Sequence, residues 1–379
     1  MPSAWALGAQ YFAYFGVLGI YLPFFNLYCY HLEFSGAQIG LLSGVRSIML
    51  VVFPLVWGAM ADRFHRRRSI YILCNIASVL TWSLFLFTRD FTLMLVISAL
   101  YGVFYAPIIS FLEAFTMDTL GSRKRRYGTF RAWGSMAFIL VVLILGRLLD
   151  RFSVEIVIPL ILGGSAVHML LAFKVPHGAT GTGKMSAAGA RDLFTRRSLI
   201  FLTAGVLMLF SHGTYYGFFS IHLEELGLER WFIGMSWAVA VTAEILVMVS
   251  SQRLFDRFSL ESVITASFLF AALRWAILGL TANPLLILAS QMLHAASYAA
   301  FHMASILYMD RLSPGSTKTL AQAVNNALSY GFGLMLGFLI NGALYEGWNP
   351  FWLFRMSAAA ALTGAVVFGI FGKPAAESP

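Results

Sequence analysis

Seven ionisable side chains stand inside long apolar runs of this 379-residue sequence: Arg46, Glu113, Arg131, His212, Glu244, Arg274 and His294. In a bilayer an unpaired charge costs at least ~2.5–3.5 kcal/mol on insertion scales, so each of these groups needs a partner or a task. Glu113 lies five residues before Asp118, and Arg131 lies five after Arg126. On two antiparallel helices rising ~1.5 Å per residue, each sits roughly 7–8 Å inside the same membrane face. Opposite charges at matched depth can pair, either as a packing ion pair or as a seat for a polar solute. His212, Glu244, Arg274 and His294 all fall near the middle of their runs. Burial favours the neutral form of a carboxylate and a neighbouring guanidinium favours the charged form. A glutamate that exchanges partners can therefore load and release a proton, with the imidazoles as carriers or as packing residues. His168 and His302 read first as packing residues, while Arg46 and Arg355 lie close enough to run ends to snorkel outward.

The elements that must hold these groups follow from composition. The chain is 59% hydrophobic and 11% charged, against about 25% charged in soluble domains. Its apolar runs are continuous and long, which argues for helices rather than the short alternating strands of a barrel. We read twelve spans, over 5–30, 37–61, 69–88, 91–117, 128–150, 154–174, 198–222, 231–254, 260–281, 284–310, 318–344 and 350–372. The stretch 175–197, rich in Gly, Ala, Ser and Thr, is a flexible linker. It divides the chain into an N-terminal six-helix bundle over 1–174 and a C-terminal one over 198–379. The fold class is thus an all-α polytopic membrane protein.

The formal charge of +9 reports topology rather than a nucleic-acid partner. With both termini in the cytoplasm, Arg63, Arg66, Arg67, Arg68 and the run Arg123 to Arg126 fall inside. Only Arg89, Arg147, Arg151 and Arg230 fall outside, a strong positive-inside bias. Cys29 and Cys74 lie within apolar runs and fit neither a disulfide framework nor a metal spacing. No nucleotide-binding, metalloprotease or nucleophile-elbow motif is present, which argues against an enzyme and against a primary pump.

The two halves repeat at an offset of 194 residues. Phe24-Phe25 matches Phe218-Phe219, Ile39-Gly40 matches Ile233-Gly234, and Asp62-Arg63-Phe64 matches Asp256-Arg257-Phe258. Such parallel repeats are the arrangement in which a solute site lies near the midplane between two rocking bundles. Aromatics make up 15% of the residues. His212, Tyr215, Tyr216 and Phe219 share one helical face, either as packing or as a wall on which a ring could stack. Gln322, Asn325 and Asn326 give the eleventh span a polar side.

The loop Gly58-Ala-Met-Ala-Asp62-Arg63-Phe-His65-Arg66-Arg67-Arg68 resembles the signature between helices 2 and 3 of the major facilitator superfamily, with a degenerate copy at Asp256-Arg257. The resemblance implies two six-helix parallel repeats and a gating role for Gly58, Asp62, Arg63 and Arg67. The same residues also serve topology and helix capping.

Arg131-Ala-Trp133-Gly134-Ser135, Thr214-Tyr215-Tyr216-Gly217, Ala243-Glu244, Arg274-Trp275 and Leu293-His294 resemble the 3-phenylpropionate permease group, which is related to lactose-permease-type proton symporters. That resemblance implies a permease of the cytoplasmic membrane, monomeric and without cofactor, driven by the proton gradient. It implies solute contacts from Glu113, Arg131, Tyr215, Tyr216 and Arg274, and proton coupling through Glu244, His294 and His212. The preferred solute is an aromatic carboxylate; sugar or nucleoside symport and drug efflux are the alternatives. The sequence departs from the sugar symporters after His294, where their coupling glutamate is replaced by Ser297 and Tyr298.

Overall fold

A computed structural model describes residues 2–176, 193–313 and 317–371, and of Pro2, Ser3, Ala4, Lys124, Arg125 and Thr319 the backbone alone. Most of the linker expected over 175–197 lies outside the described residues. Among the described residues, twelve helices are long and apolar enough to cross a membrane. They are α1 (Trp5–His31), α2 (Gly36–Phe64), α3 (Arg67–Phe87), α4 (Phe91–Arg123), α5 (Tyr127–Leu149), α6 (Val154–Ala172), α7 (Arg196–Glu225), α8 (Arg230–Val249), α9 (Leu260–Leu280), α10 (Pro284–Leu312), α11 (Leu320–Tyr345) and α12 (Pro350–Phe371). Several of their starts carry side-chain caps. Ser35 and Gln38 form a reciprocal capping box at α2, and Asp90 accepts from the Leu93 amide at α4. Between α2 and α3 His65 adopts a left-handed conformation at φ 52° and returns its amide to the Ala61 carbonyl, which permits a tight reversal.

The chain forms two compact units, Met1–Gly183 with Ser220–Ala238, and Lys184–Phe219 with Val239–Pro379. In the first, α1 is the central helix: 72% of its most apolar window is buried, and it packs against α4, α5 and α6. The absence of a side chain at Gly19 brings α1 onto the Phe138 backbone, which a Cβ would meet at 3.1 Å. In the second unit α7 is the counterpart, 67% buried. It crosses α11 where Gly213 meets Gly337; a Cβ on Gly213 would stand 2.6 Å from the Gly337 backbone. Thr214 then hydrogen-bonds Asn341 and Ser357, both at 2.6 Å, so polar groups as well as close approach hold α7, α11 and α12 together.

Two helices of the second unit are not regular throughout. α10 widens to π-helical turns over Ala295–Ala300, and α11 does so over Asn326–Gly333. Such turns concentrate at functional positions because they re-aim side chains without ending the helix. The first of them begins directly after His294.

Candidate functional site

The second unit assembles three of the ionisable residues into one relay. Arg274 on α9 is fully buried. Its Nη1 donates to His294 Nδ1 at 2.5 Å, and its Nη2 donates to Gln291 Oε1 at 2.7 Å. A guanidinium is a donor only, so His294 Nδ1 must be the accepting, unprotonated nitrogen. The imidazole proton therefore sits on Nε2, which faces Glu244 Oε1 on α8 at 2.7 Å. Guanidinium, neutral imidazole and carboxylate thus form a directed chain with a single consistent proton arrangement. The Glu244 end is the accessible one, at 17% side-chain exposure against 3% for His294.

Gln291 makes the geometry rigid. Its amide nitrogen donates to the Ile287 carbonyl at 3.0 Å and to Ser290 Oγ at 3.1 Å, which fixes its carbonyl oxygen toward Arg274. Sequence reading did not single out Gln291. Its position three residues before His294, on the same face of α10, was the available signal.

Aromatic rings enclose the relay. Arg274 lies 4.0 Å from the Tyr215 ring centroid and 4.6 Å from that of Trp275, so its charge is held partly by ring faces. No carboxylate lies within 4.0 Å of it among the described residues. His212 stands edge-on to Trp275 at 5.0 Å and 6.0 Å from His294. Its Nδ1–H donates to the Met208 carbonyl at 2.9 Å, and its buried Nε2 has no hydrogen-bond partner among the described residues. Tyr216 flanks His212 at 6.2 Å and His294 at 6.3 Å. Tyr298 stacks on His294 at 5.1 Å and 16°. The position that lacks a glutamate therefore supplies a ring to the imidazole rather than a second carboxylate.

The first unit holds Glu113 and Arg131, and the direct ion pair expected between them is not formed. Exposed Glu113 accepts from the Tyr127 hydroxyl at 3.1 Å. Half-exposed Arg131 lies 3.8 Å above the Phe15 ring and reaches Ser135 Oγ at 3.4 Å. The physical reason is local. Tyr127 sits one turn before Arg131 on α5 and satisfies the carboxylate first, while the Phe15 face of α1 draws the guanidinium. Arg131 has no carboxylate within 4.0 Å among the described residues, unlike a charge locked in a pair.

The remaining candidates fall elsewhere. Arg46 lies 4.4 Å over the Tyr21 ring instead of reaching outward. Arg355 binds the Gly279 carbonyl at 2.8 Å, and His302 Nδ1 meets the Tyr330 hydroxyl at 2.7 Å. His168 is buried beside Tyr14, with ring centroids 5.9 Å apart. Asn325 accepts from Ser329 Oγ, and Gln322 donates to the Ile306 carbonyl.

In the α2–α3 loop Arg67 reaches Asp118 at the end of α4 at 2.9 Å and Asp62 at 3.8 Å, while Arg63 rests over Phe64. A Cβ on Gly58 would meet nothing within 4 Å, so close packing does not account for that glycine. At the 194-residue offset Arg67 corresponds to Glu261, and Glu261 pairs with Arg311 in the second unit. The repeat conserves the link between these helix ends and reverses its polarity.

The model of the MFS_1 like family matches residues 4–356; the chain belongs to that family of major facilitator transporters and is not an enzyme. It is 26% identical over 368 residues to a protein named probable 3-phenylpropionic acid transporter, from Escherichia coli (strain K12), covering 94% of this chain and 95% of that one. It is 23% identical over 371 residues to the maltose permease of Geobacillus stearothermophilus, covering 96% and 93%. Among solved structures, nucleoside transporter NupG superposes with a TM-score of 0.88 at 17% identity, covering 99% of this chain and 100% of that one. At that identity the likeness concerns the fold alone.

Proposed function

We propose that this transporter couples uptake of a small aromatic carboxylate to protons by alternating access. The observation that carries the reading is the Arg274–His294–Glu244 relay. In its present state Glu244 accepts a charge-assisted hydrogen bond from His294 Nε2, and Arg274 is committed to His294 Nδ1. Protonation of Glu244 removes the charge from that acceptor and weakens the bond, since charge-assisted bonds are roughly twice as strong as neutral ones. Arg274 is then less firmly held and can turn to a solute carboxylate. The solute's negative charge replaces the one lost on Glu244, so proton and anion favour each other's binding. Tyr216, the half-buried member of the ring cluster with His212, Tyr215 and Trp275, would present a face to an arene. Arg131, stacked on Phe15 and without a carboxylate partner, is a second guanidinium open to an anion.

The similarity to a probable 3-phenylpropionic acid transporter supports this solute class. A sugar or nucleoside symporter is the second reading, favoured by the maltose permease match; Glu113 and Tyr127 would then take hydroxyl groups. The proposal places two six-helix bundles, 1–174 and 198–379, in the cytoplasmic membrane as a monomer, with both termini inside. The link of Arg67 to Asp62 and Asp118 would serve as a gating contact. The test is accumulation of labelled 3-phenylpropionate in membrane vesicles with an imposed pH gradient, acid outside. Concentrative uptake that collapses with a protonophore supports the reading. Uptake that only equilibrates and ignores the gradient removes coupling.

A further inference from the structure

One groove in the first unit is lined by none of the ionisable groups discussed above. It encloses about 500 Å³ between α1, α5 and α6. Its floor is made by Gly8, Ala9, Ala13 and Gly16 of α1, and its walls include Trp133 of α5 and Val167 of α6. The rim is open: Trp133 is 48% exposed and Val167 54%. From Trp5 to Ile20 the groove follows α1 for about 22 Å at ~1.5 Å per residue. That exceeds half of the ~30 Å hydrocarbon core, so one end lies at a membrane surface and the other beyond the midplane.

The surface end is basic. Lys174, just past α6, stands 5.6 Å from the ring centroid of Trp5, which closes the groove and is 62% exposed. Among the described residues no carboxylate lies within 4.0 Å of Lys174. Arg68 adds a second cation at that end. Its Nε donates to the Val175 carbonyl at 2.9 Å and its Nη2 to the Phe173 carbonyl at 2.6 Å. An apolar slot that ends under an aromatic ring and two cations matches one molecule available in a bilayer, an anionic phospholipid.

We infer that this groove is a lipid site, in which an acyl chain lies along α1 and the headgroup phosphate sits against Lys174 and Trp5. The test is native mass spectrometry of the full chain released from detergent, after incubation with phosphatidylglycerol or with phosphatidylethanolamine of identical chains. One phosphatidylglycerol should remain bound per chain, in preference to phosphatidylethanolamine. Lys174→Gln should weaken its retention about fivefold, the weight of one basic residue near an anionic headgroup, and should weaken retention of phosphatidylethanolamine less, because its ammonium offsets the phosphate charge. Ala9→Leu with Ala13→Leu, which fills the floor from positions that are half-buried, should lower retention of both lipids. Unchanged retention in the filled variant would overturn the site. Equal retention of the two lipids, unaffected by Lys174→Gln, would overturn the headgroup assignment. A dimer that carries no lipid would show that a second copy covers the groove instead, and would also overturn the proposal.

Discussion

Replacing Glu244 with Gln tests the relay at its accessible end. The amide carbonyl can still accept from His294 Nε2, so the geometry survives, but the charge does not. A hydrogen bond to a charged group contributes about 1.5–3 kcal/mol and a neutral one about 0.5–1.5 kcal/mol. The exchange therefore loosens the relay by about 1–2 kcal/mol, or roughly five- to thirtyfold in the readiness of Arg274 to leave His294. Glu244→Gln imitates the protonated state. In the wild type, affinity for 3-phenylpropionate should fall as pH rises and Glu244 loses its proton, by at most about tenfold per pH unit for one linked proton. The total fall should level off at five- to thirtyfold. The variant should hold the high-affinity value at every pH in which the solute stays ionised. Calorimetric titration of the purified proteins across a pH series reads both curves. A variant that keeps the wild-type pH dependence, or that binds more weakly throughout, would refute the proposed exchange of partners.

Arg131→Ala should abolish concentrative uptake while the protein still reaches the membrane in normal amount, because a half-exposed cation–π contact contributes only about 1 kcal/mol; normal uptake would return Arg131 to packing. Tyr215→Leu with Tyr216→Leu should weaken binding of ring-bearing solutes roughly two- to twelvefold for each ring removed, at about 0.5–1.5 kcal/mol apiece, which competition binding would detect. Gly213→Ala should lower the unfolding temperature in detergent, since its Cβ would meet the Gly337 backbone at 2.6 Å and overpacking costs about 1–3 kcal/mol. An unshifted transition would mean that α7 and α11 separate freely at this crossing.

The spans were legible because lipid demands long apolar helices, and that demand is written residue by residue. Their ends were less so. The expected span 91–117 continues as α-helix to Leu120, because the acidic Asp118 ends the apolar run without ending the helix, which Gly121 at φ 52° then caps. Depth counting placed His212, Glu244, Arg274 and His294 near one level, and the structure brings Arg274, His294 and Glu244 into direct succession. It could not show which neighbour each charge would choose. Glu113 and Arg131 share a depth, yet Tyr127 and Phe15 reach them first. Side-chain reach and rotation about the helix axis decide that, and spacing along the chain does not carry either. Gln291 escaped notice because a neutral amide in an apolar run resembles an ordinary packing residue until its partners are known. The π-helical turns after His294 and in α11 were likewise invisible, since Ala295–Ala300 and Asn326–Gly333 contain no residue that forces a wider turn. The swap from Arg67–Asp118 to Glu261–Arg311 was hidden for another reason: matching residue types across the repeat misses a contact whose charges have exchanged places.

The most direct test of proton-coupled aromatic acid uptake is the external pH of a lightly buffered, anaerobic suspension of cells expressing the protein. 3-Phenylpropionate and, separately, maltose would be added to it. The account predicts a transient alkalinisation with the aromatic acid that is absent in Arg131→Ala cells. Alkalinisation with maltose alone, or none with either solute, would contradict it.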